Sequence, residues 1–213
     1  MPILEDTSRL TQWISQQAAQ HPTFFAPTSK WCDSGTWVMP VVHRLLSVRA
    51  AATVTTCTPL QTKEDSSDAA DAVFHALRHA ALLFLQPLRR AFGIITDISS
   101  SIHLQRLRHH LSHTPHHWTS LPTLHQWVLA AGGMEAEDAR EQRWFARRVA
   151  AVPAFREAEG REFGRGVRGL VWVGEVHDRE FGRVVWQALE EMAMAEEEEE
   201  EGVGGAVMKG AEE

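Results

Sequence analysis

The chain has 213 residues, 44% hydrophobic and 23% charged, a composition that suits one soluble globular domain with a packed core. Its net charge of −7 is uneven: ten glutamates and one lysine between Glu190 and Glu213 carry −9, which leaves +2 for residues 1–189. Two cysteines, Cys32 and Cys57, exclude a disulfide framework and a cysteine-only zinc site, and the longest apolar run, around Ala80 to Leu85, is far too short to span a bilayer.

The first residues, MPILEDTS, carry acid where a signal peptide needs base, which points to an intracellular protein. Leu10, Ile14 and Gln17 then make a helical stripe beside Trp13, with Asp6 or Thr7 as its cap and an end near His21-Pro22. The stretch Phe24 to Trp37 has no period and reads as loop, after which Pro40 suits the first turn of a helix carrying Val41, Leu45 and Leu46. Beyond the polar break TPLQTKEDSSD, the spacing of Val73, Leu77, Ala80, Ala81, Phe84 and Leu88 predicts the strongest helix, Asp68 to Phe92, with Pro87 as a kink. Ile102, Leu104, Leu107 and Leu111 predict another, stopped at Pro115, and Leu121, Leu124 and Val128 restart the pattern.

From Trp127 the apolar stripe passes through Gly132 and Gly133 to Met134. A glycine pair inside a helix costs about 1 kcal/mol per residue against alanine, so close approach of a second helix backbone is the expected compensation; a left-handed C-cap at Gly132 is the alternative. Asp138 and Glu141 have capping-box spacing ahead of a helix bearing Arg143, Trp144 and Phe145, so the pair sets a helix hairpin with Trp127 and Trp144 both in the core. GLVWVGEV, Gly169 to Val176, alone has the look of a strand, and Asp178 caps a last helix with Phe181, Val185, Leu189 and Met192 on its stripe. Six consecutive glutamates, Glu196 to Glu201, cannot form a packed face. The fold class is therefore all-α, an irregular multi-helix bundle with a disordered acidic C-terminal tail. Its divisions are an N-terminal helix and loop (1–39), a helical domain (40–192) and the tail (193–213).

Few motifs carry chemistry. GRGVRG, Gly164 to Gly169, has the glycine offsets of a dinucleotide fingerprint without the preceding strand and following helix that the pyrophosphate needs. His109, His110, His113, His116 and His117 fall close together, and His109/His113 and His75/His79 have metal-ligand spacing. No Asp or Glu lies between Asp97 and Glu135 to orient them, so no metal, cofactor or catalytic residue is expected. Basic residues at Arg89-Arg90, Arg106 and Arg108, and Arg140 to Arg148 fall on helix polar faces of a nearly neutral folded part, a pattern that does not indicate direct nucleic-acid binding.

Three stretches in order, HALRHAALLFLQPLRRAFG (His75 to Gly93), WVLAAGGMEAEDAREQRWF (Trp127 to Phe145) and GLVWVGEVHDREFGRVVW (Gly169 to Trp186), resemble the fungal-specific transcription factor domain over roughly residues 70–190. That helical regulatory region usually accompanies a binuclear zinc cluster. The resemblance lies in Arg78, Arg89, Arg90, Phe92 and Gly93 of an arginine-bearing helix and its Leu-Arg-Arg-x-Phe-Gly turn, and in Trp127, Gly132, Gly133, Arg143, Trp144 and Phe145. The closing elements contribute Trp172 and Trp186. His75 stands where the family commonly has Glu, and two cysteines cannot build the six-cysteine cluster. The resemblance implies a nuclear regulatory module that acts through protein partners, without sequence-specific DNA binding of its own, free of membranes and open to homo-oligomerisation. The alternatives are an enzyme using the histidines or a fragment with no independent function.

Overall fold

The computed structural model describes residues 2–26, 38–47, 64–94, 100–113, 118–157 and 160–209, with side chains in the third segment from residue 70 and in the last to residue 198. Cys32, Cys57, the loop at 27–37, the break at 58–63, Pro115, His116 and His117 lie outside the described residues. Among those described, the regular elements are all helices: α1 (Pro2–Gln20), α2 (Val38–Ser47), α3 (Glu64–Ala91), α4 (Ser100–His113), α5 (Pro122–Glu135), α6 (Ala139–Ala150), α7 (Pro153–Arg156), α8 (Arg161–Arg168) and α9 (Gly174–Lys209).

Two of them are central. Residues 79–89 of α3 and 126–136 around the end of α5 are buried on every side, as only a helix surrounded by others can be. α3 packs on α1, α2, α4, α5 and α9, and α5 on α3, α4, α6, α8 and α9. The N-terminal helix adds Ile3, Leu10 and Ile14 to the same core. It starts at Pro2, earlier than its expected caps, and Thr7 instead turns its hydroxyl back to the Ile3 carbonyl (2.7 Å). In α2 the buried face is Val38, Val42 and Leu45, with Leu46 exposed. α3 continues through Pro87 and ends at Gly93, whose φ of +65° is the left-handed conformation that glycine adopts without a side-chain clash.

The glycine pair is part of α5, so the left-handed cap at Gly132 is excluded. The compensation is packing, but by side chains where a backbone was expected. A Cβ on Gly132 would lie 2.3 Å from Cε1 of Phe145 and 3.0 Å from Cδ2 of Leu107, and one on Gly133 would lie 3.0 Å from Cγ2 of Val184. The missing side chains make a notch that α6 fills with a fully buried phenylalanine ring and α9 with a valine. Asp138 caps α6 as expected, its Oδ1 accepting from the backbone N–H of Arg140 (2.6 Å) and Glu141 (3.4 Å).

The expected strand is not formed. Residues 170–173 instead join α8 to α9, with Val171 and Val173 buried and Trp172 between them partly exposed, so an unpaired connector produces the alternation. Trp127 Nε1–H donates to the Val171 carbonyl (3.1 Å), supplying a partner that a neighbouring strand would otherwise give. α9 begins at Gly174, ahead of Asp178, and buries Phe181, Val184 and Ala188, while Val185, Leu189 and Met192 are only partly buried. Its side chains from Ala193 to Glu198 are all exposed.

Gly132→Ala is expected to destabilise the fold by about 2 kcal/mol or more, because Phe145 must leave its notch. Phe145→Leu removes ring atoms from the same place, so in chemical denaturation the double variant should lose less than the two single losses together. Strict additivity would show that the residues do not share this contact.

Candidate functional site

Most of the motif residues prove to be structural ties. Arg78 Nε donates to the Leu45 carbonyl (2.7 Å) and its Nη2 to the Leu46 carbonyl, closing the C-terminal turn of α2. Arg90 donates to both carboxylate oxygens of Glu135 (2.8 and 2.5 Å), an almost fully buried group that also accepts from Ser100 Oγ (3.3 Å). The ends of α3 and α5 are thereby joined, and the hydrogen bonds raise the pKa of Arg90. Phe92 is buried against Phe24 and Phe25. Trp127 is fully buried.

Others depart from expectation. Arg89 is not on a polar face: it is 2% exposed, donates from Nη1 to Gln86 Oε1 (2.9 Å), and its Nε and Nη2 meet no hydrogen-bond acceptor. Burial lowers its pKa. Trp186 is 64% exposed, donates from Nε1 to Glu190 Oε1 (2.8 Å) and joins no core among the described residues. Trp172 is partly buried, its Nε1–H on Asp178 Oδ1 (2.9 Å), where Arg168 also binds. GRGVRG lies on α8 and its C-terminal cap, and no strand precedes it among the described residues.

The packing of α3 on α4 gathers histidines that sequence spacing treats as separate pairs. His110 stacks on His75 (5.6 Å between ring centres) and His79 (6.0 Å), and His79 Nδ1 lies 3.1 Å from His103 Nδ1. One of these nitrogens must donate and the other accept, so the two rings cannot both be cationic. Burial, followed by His103, His110, Arg106 and Arg78, pushes the His79 imidazole down to about 3, and burial is also the largest lowering effect on His103 and His110. Among the described residues no group of three His, Cys, Asp or Glu side chains could hold a metal ion.

A groove of about 840 Å³ lies between α4 and α6. Arg140, Arg143 and Arg147 repeat at helical spacing along it, Arg108 comes across from α4, and Trp144 forms its floor. The Arg108 and Arg148 guanidinium carbons lie 5.1 and 4.7 Å from the centre of the Trp144 ring, within cation–π range. Arg148 is fixed there by donating to the Leu111 carbonyl (3.2 Å) at the end of α4. Glu191 of α9 binds Arg143 (3.1 Å) and Arg147 (2.7 Å), yet those arginine side chains remain 65% and 67% exposed. Burial raises the Glu141 carboxyl at the groove edge, opposed by Arg108 at 4.0 Å. The basic group Arg140 to Arg148 is visible in the sequence; its convergence with Arg108 around one indole needs the α4–α6 packing.

Fold and site together define an all-α, irregular multi-helix bundle with an exposed arginine- and tryptophan-lined groove. No family model matches the chain, and no curated protein or solved structure shows significant similarity to it. No helix among the described residues is long and apolar enough to cross a membrane.

Trp127→Ala should cost about 3–5 kcal/mol in chemical denaturation, whereas the half-buried Trp144 should cost only about 1–2 kcal/mol when truncated. Equal losses would return Trp144 to the core. The histidines set a pH dependence. With His79 at about 3 in the fold and 6.5 ordinarily, the native state binds fewer protons, so its stability is intact above pH 6.5 and is lost as pH falls toward 3. His125, held down to about 4 by burial and Arg148, acts in the same direction. The melting temperature should fall steadily through this window and fall less steeply in His79→Gln; a rise on acidification would contradict the buried neutral cluster.

Proposed function

We propose that this chain is a helical regulatory and interaction module that acts in the nucleus through a protein partner and reads no DNA sequence itself. The observation that carries the reading is the α4–α6 groove. Tryptophan and arginine dominate the energetics of protein interfaces because they combine large contact area with directed hydrogen bonds, and here exposed arginines surround a half-buried Trp144. The resemblance to the fungal-specific transcription factor domain supports the regulatory role and the nuclear location. A nearly neutral folded part with an acidic tail offers little phosphate attraction, and two cysteines cannot build the family's zinc cluster.

The test is to tether the chain to an unrelated DNA-binding domain upstream of a reporter in a fungal nucleus. Reporter output should change several-fold, and Trp144→Ala or Arg140→Glu should return it to baseline at equal protein level. Output that never responds to tethering, or responds equally in both variants, would sink the reading. Enrichment of a defined motif from a random duplex pool by the untethered chain at submicromolar concentration would overturn the DNA part of it.

A further inference from the structure

We infer that the occupant of the α4–α6 groove is the acidic C-terminal run, Glu196 to Glu201, of a second copy of this chain. The inference rests on the reading of that groove as a protein-interaction site. Its first support is charge complementarity within one sequence: the arginines of the folded part converge beside Trp144, while the densest run of carboxylates lies beyond Met192, where the side chains from Ala193 to Glu198 are exposed.

The second support is direction. α9 runs parallel to α6, since Gln187 meets Gln142 (3.0 Å), Glu191 meets Arg143 and Arg147, and Ala195 and Glu198 border a cavity with Arg147, Ala150 and Ala151. The chain therefore leaves past the C-terminal end of α6, whereas the groove opens along residues 138–147. Glu198 still acts on Arg147 at the C-terminal end of the groove, and each further residue of a helical α9 carries the later glutamates about 1.5 Å farther from Arg140 and Arg143. A second copy related by a two-fold axis presents its run to this groove and receives this chain's run in its own, a closed and reciprocal exchange.

The groove keeps capacity for such a guest. Arg140 is exposed and its side chain makes no hydrogen bond among the described residues. Arg143 and Arg147 hold Glu191 while leaving most of their guanidinium surface in solvent, and each guanidinium has five N–H donors. Exposed ion pairs are individually weak and screened by salt, so association through six carboxylates should be reversible and sensitive to ionic strength.

Analytical ultracentrifugation tests this on the full chain. At about 50 mM salt a concentration-dependent dimer is expected, dissociating at about 500 mM as the screening length shrinks. A chain ending at Ala195, a groove-reversed chain (Arg140→Glu with Arg143→Glu) and a tail-reversed chain (Glu196 to Glu201 all to Lys) should each be monomeric alone. An equal mixture of the two reversed chains should restore the dimer, because each groove then meets the opposite charge in trans. Circular dichroism at high salt checks that every variant folds, and Arg140→Glu alone replaces the double change if it does not. A wild-type chain that stays monomeric at low salt would overturn the inference, as would a dimer indifferent to truncation or a reversed pair that fails to associate. Because the reporter assay is separate, a groove-dependent reporter with a monomeric chain would defeat this inference alone, and a salt-sensitive dimer with a silent reporter would defeat only the regulatory reading.

Discussion

The insertion of Phe145 and Val184 against Gly132 and Gly133 sets the relative positions of α5, α6 and α9 in the second half of the fold. Without Cβ atoms at those two positions, α6 and α9 can reach α5 closely enough to bury their rings and methyl groups on its backbone. The geometry is then locked from outside the notch. Arg183 of α9 donates to the carbonyls of Gly133 and Met134 (both 3.0 Å), satisfying acceptors that the end of α5 leaves open, and Gln187 joins Gln142 of α6. A helix intrinsically weakened by two glycines is thus stabilised by tertiary contacts that only glycines permit.

A polar frame orders the first half around the same two central helices. Arg90 and Glu135 join the ends of α3 and α5, and the fully buried His177 lies with its ring nitrogens 2.9 Å from the Val173 carbonyl and 3.0 Å from the Phe84 carbonyl. Burial lowers the pKa of His177 despite those two carbonyls, and its ring stacks on Phe84 at 4.1 Å, so a single side chain holds the start of α9 on α3. Groups buried this way are costly to leave unpaired, which favours one arrangement of the helices over sliding alternatives.

The helices themselves were legible because their apolar positions recur at three and four. Asp138 could be recognised as a cap because its carboxylate acts on the next turn of its own chain. What eluded the sequence were relations between segments. The connector at Val171 to Val173 mimics a strand because two inward valines flank one half-exposed tryptophan, and alternation alone does not reveal whether a partner strand exists. Arg89 and Arg90 are adjacent and chemically identical, yet one is buried and the other meets a carboxylate 45 residues on, a difference that helical phase and the position of α5 create. Trp144 and Trp186 likewise look equivalent in sequence and differ in burial.

The same distinction separates scaffold from function at the candidate site. Motif residues such as Arg78, Arg90, Gly93 and Gly132 are occupied in closing turns, joining helix ends and making room for neighbours, so their pattern identifies a fold more directly than an activity. The α4–α6 groove has the opposite character: Arg140, Arg143 and Arg147 do little for the core, and the packing places them with Arg108 around an indole that the core only half needs. Keeping several like charges together disfavours the isolated chain through mutual repulsion. Glu191 offsets part of that repulsion from within, and it does so by pairing with Arg143 and Arg147 while most of their surface stays in solvent.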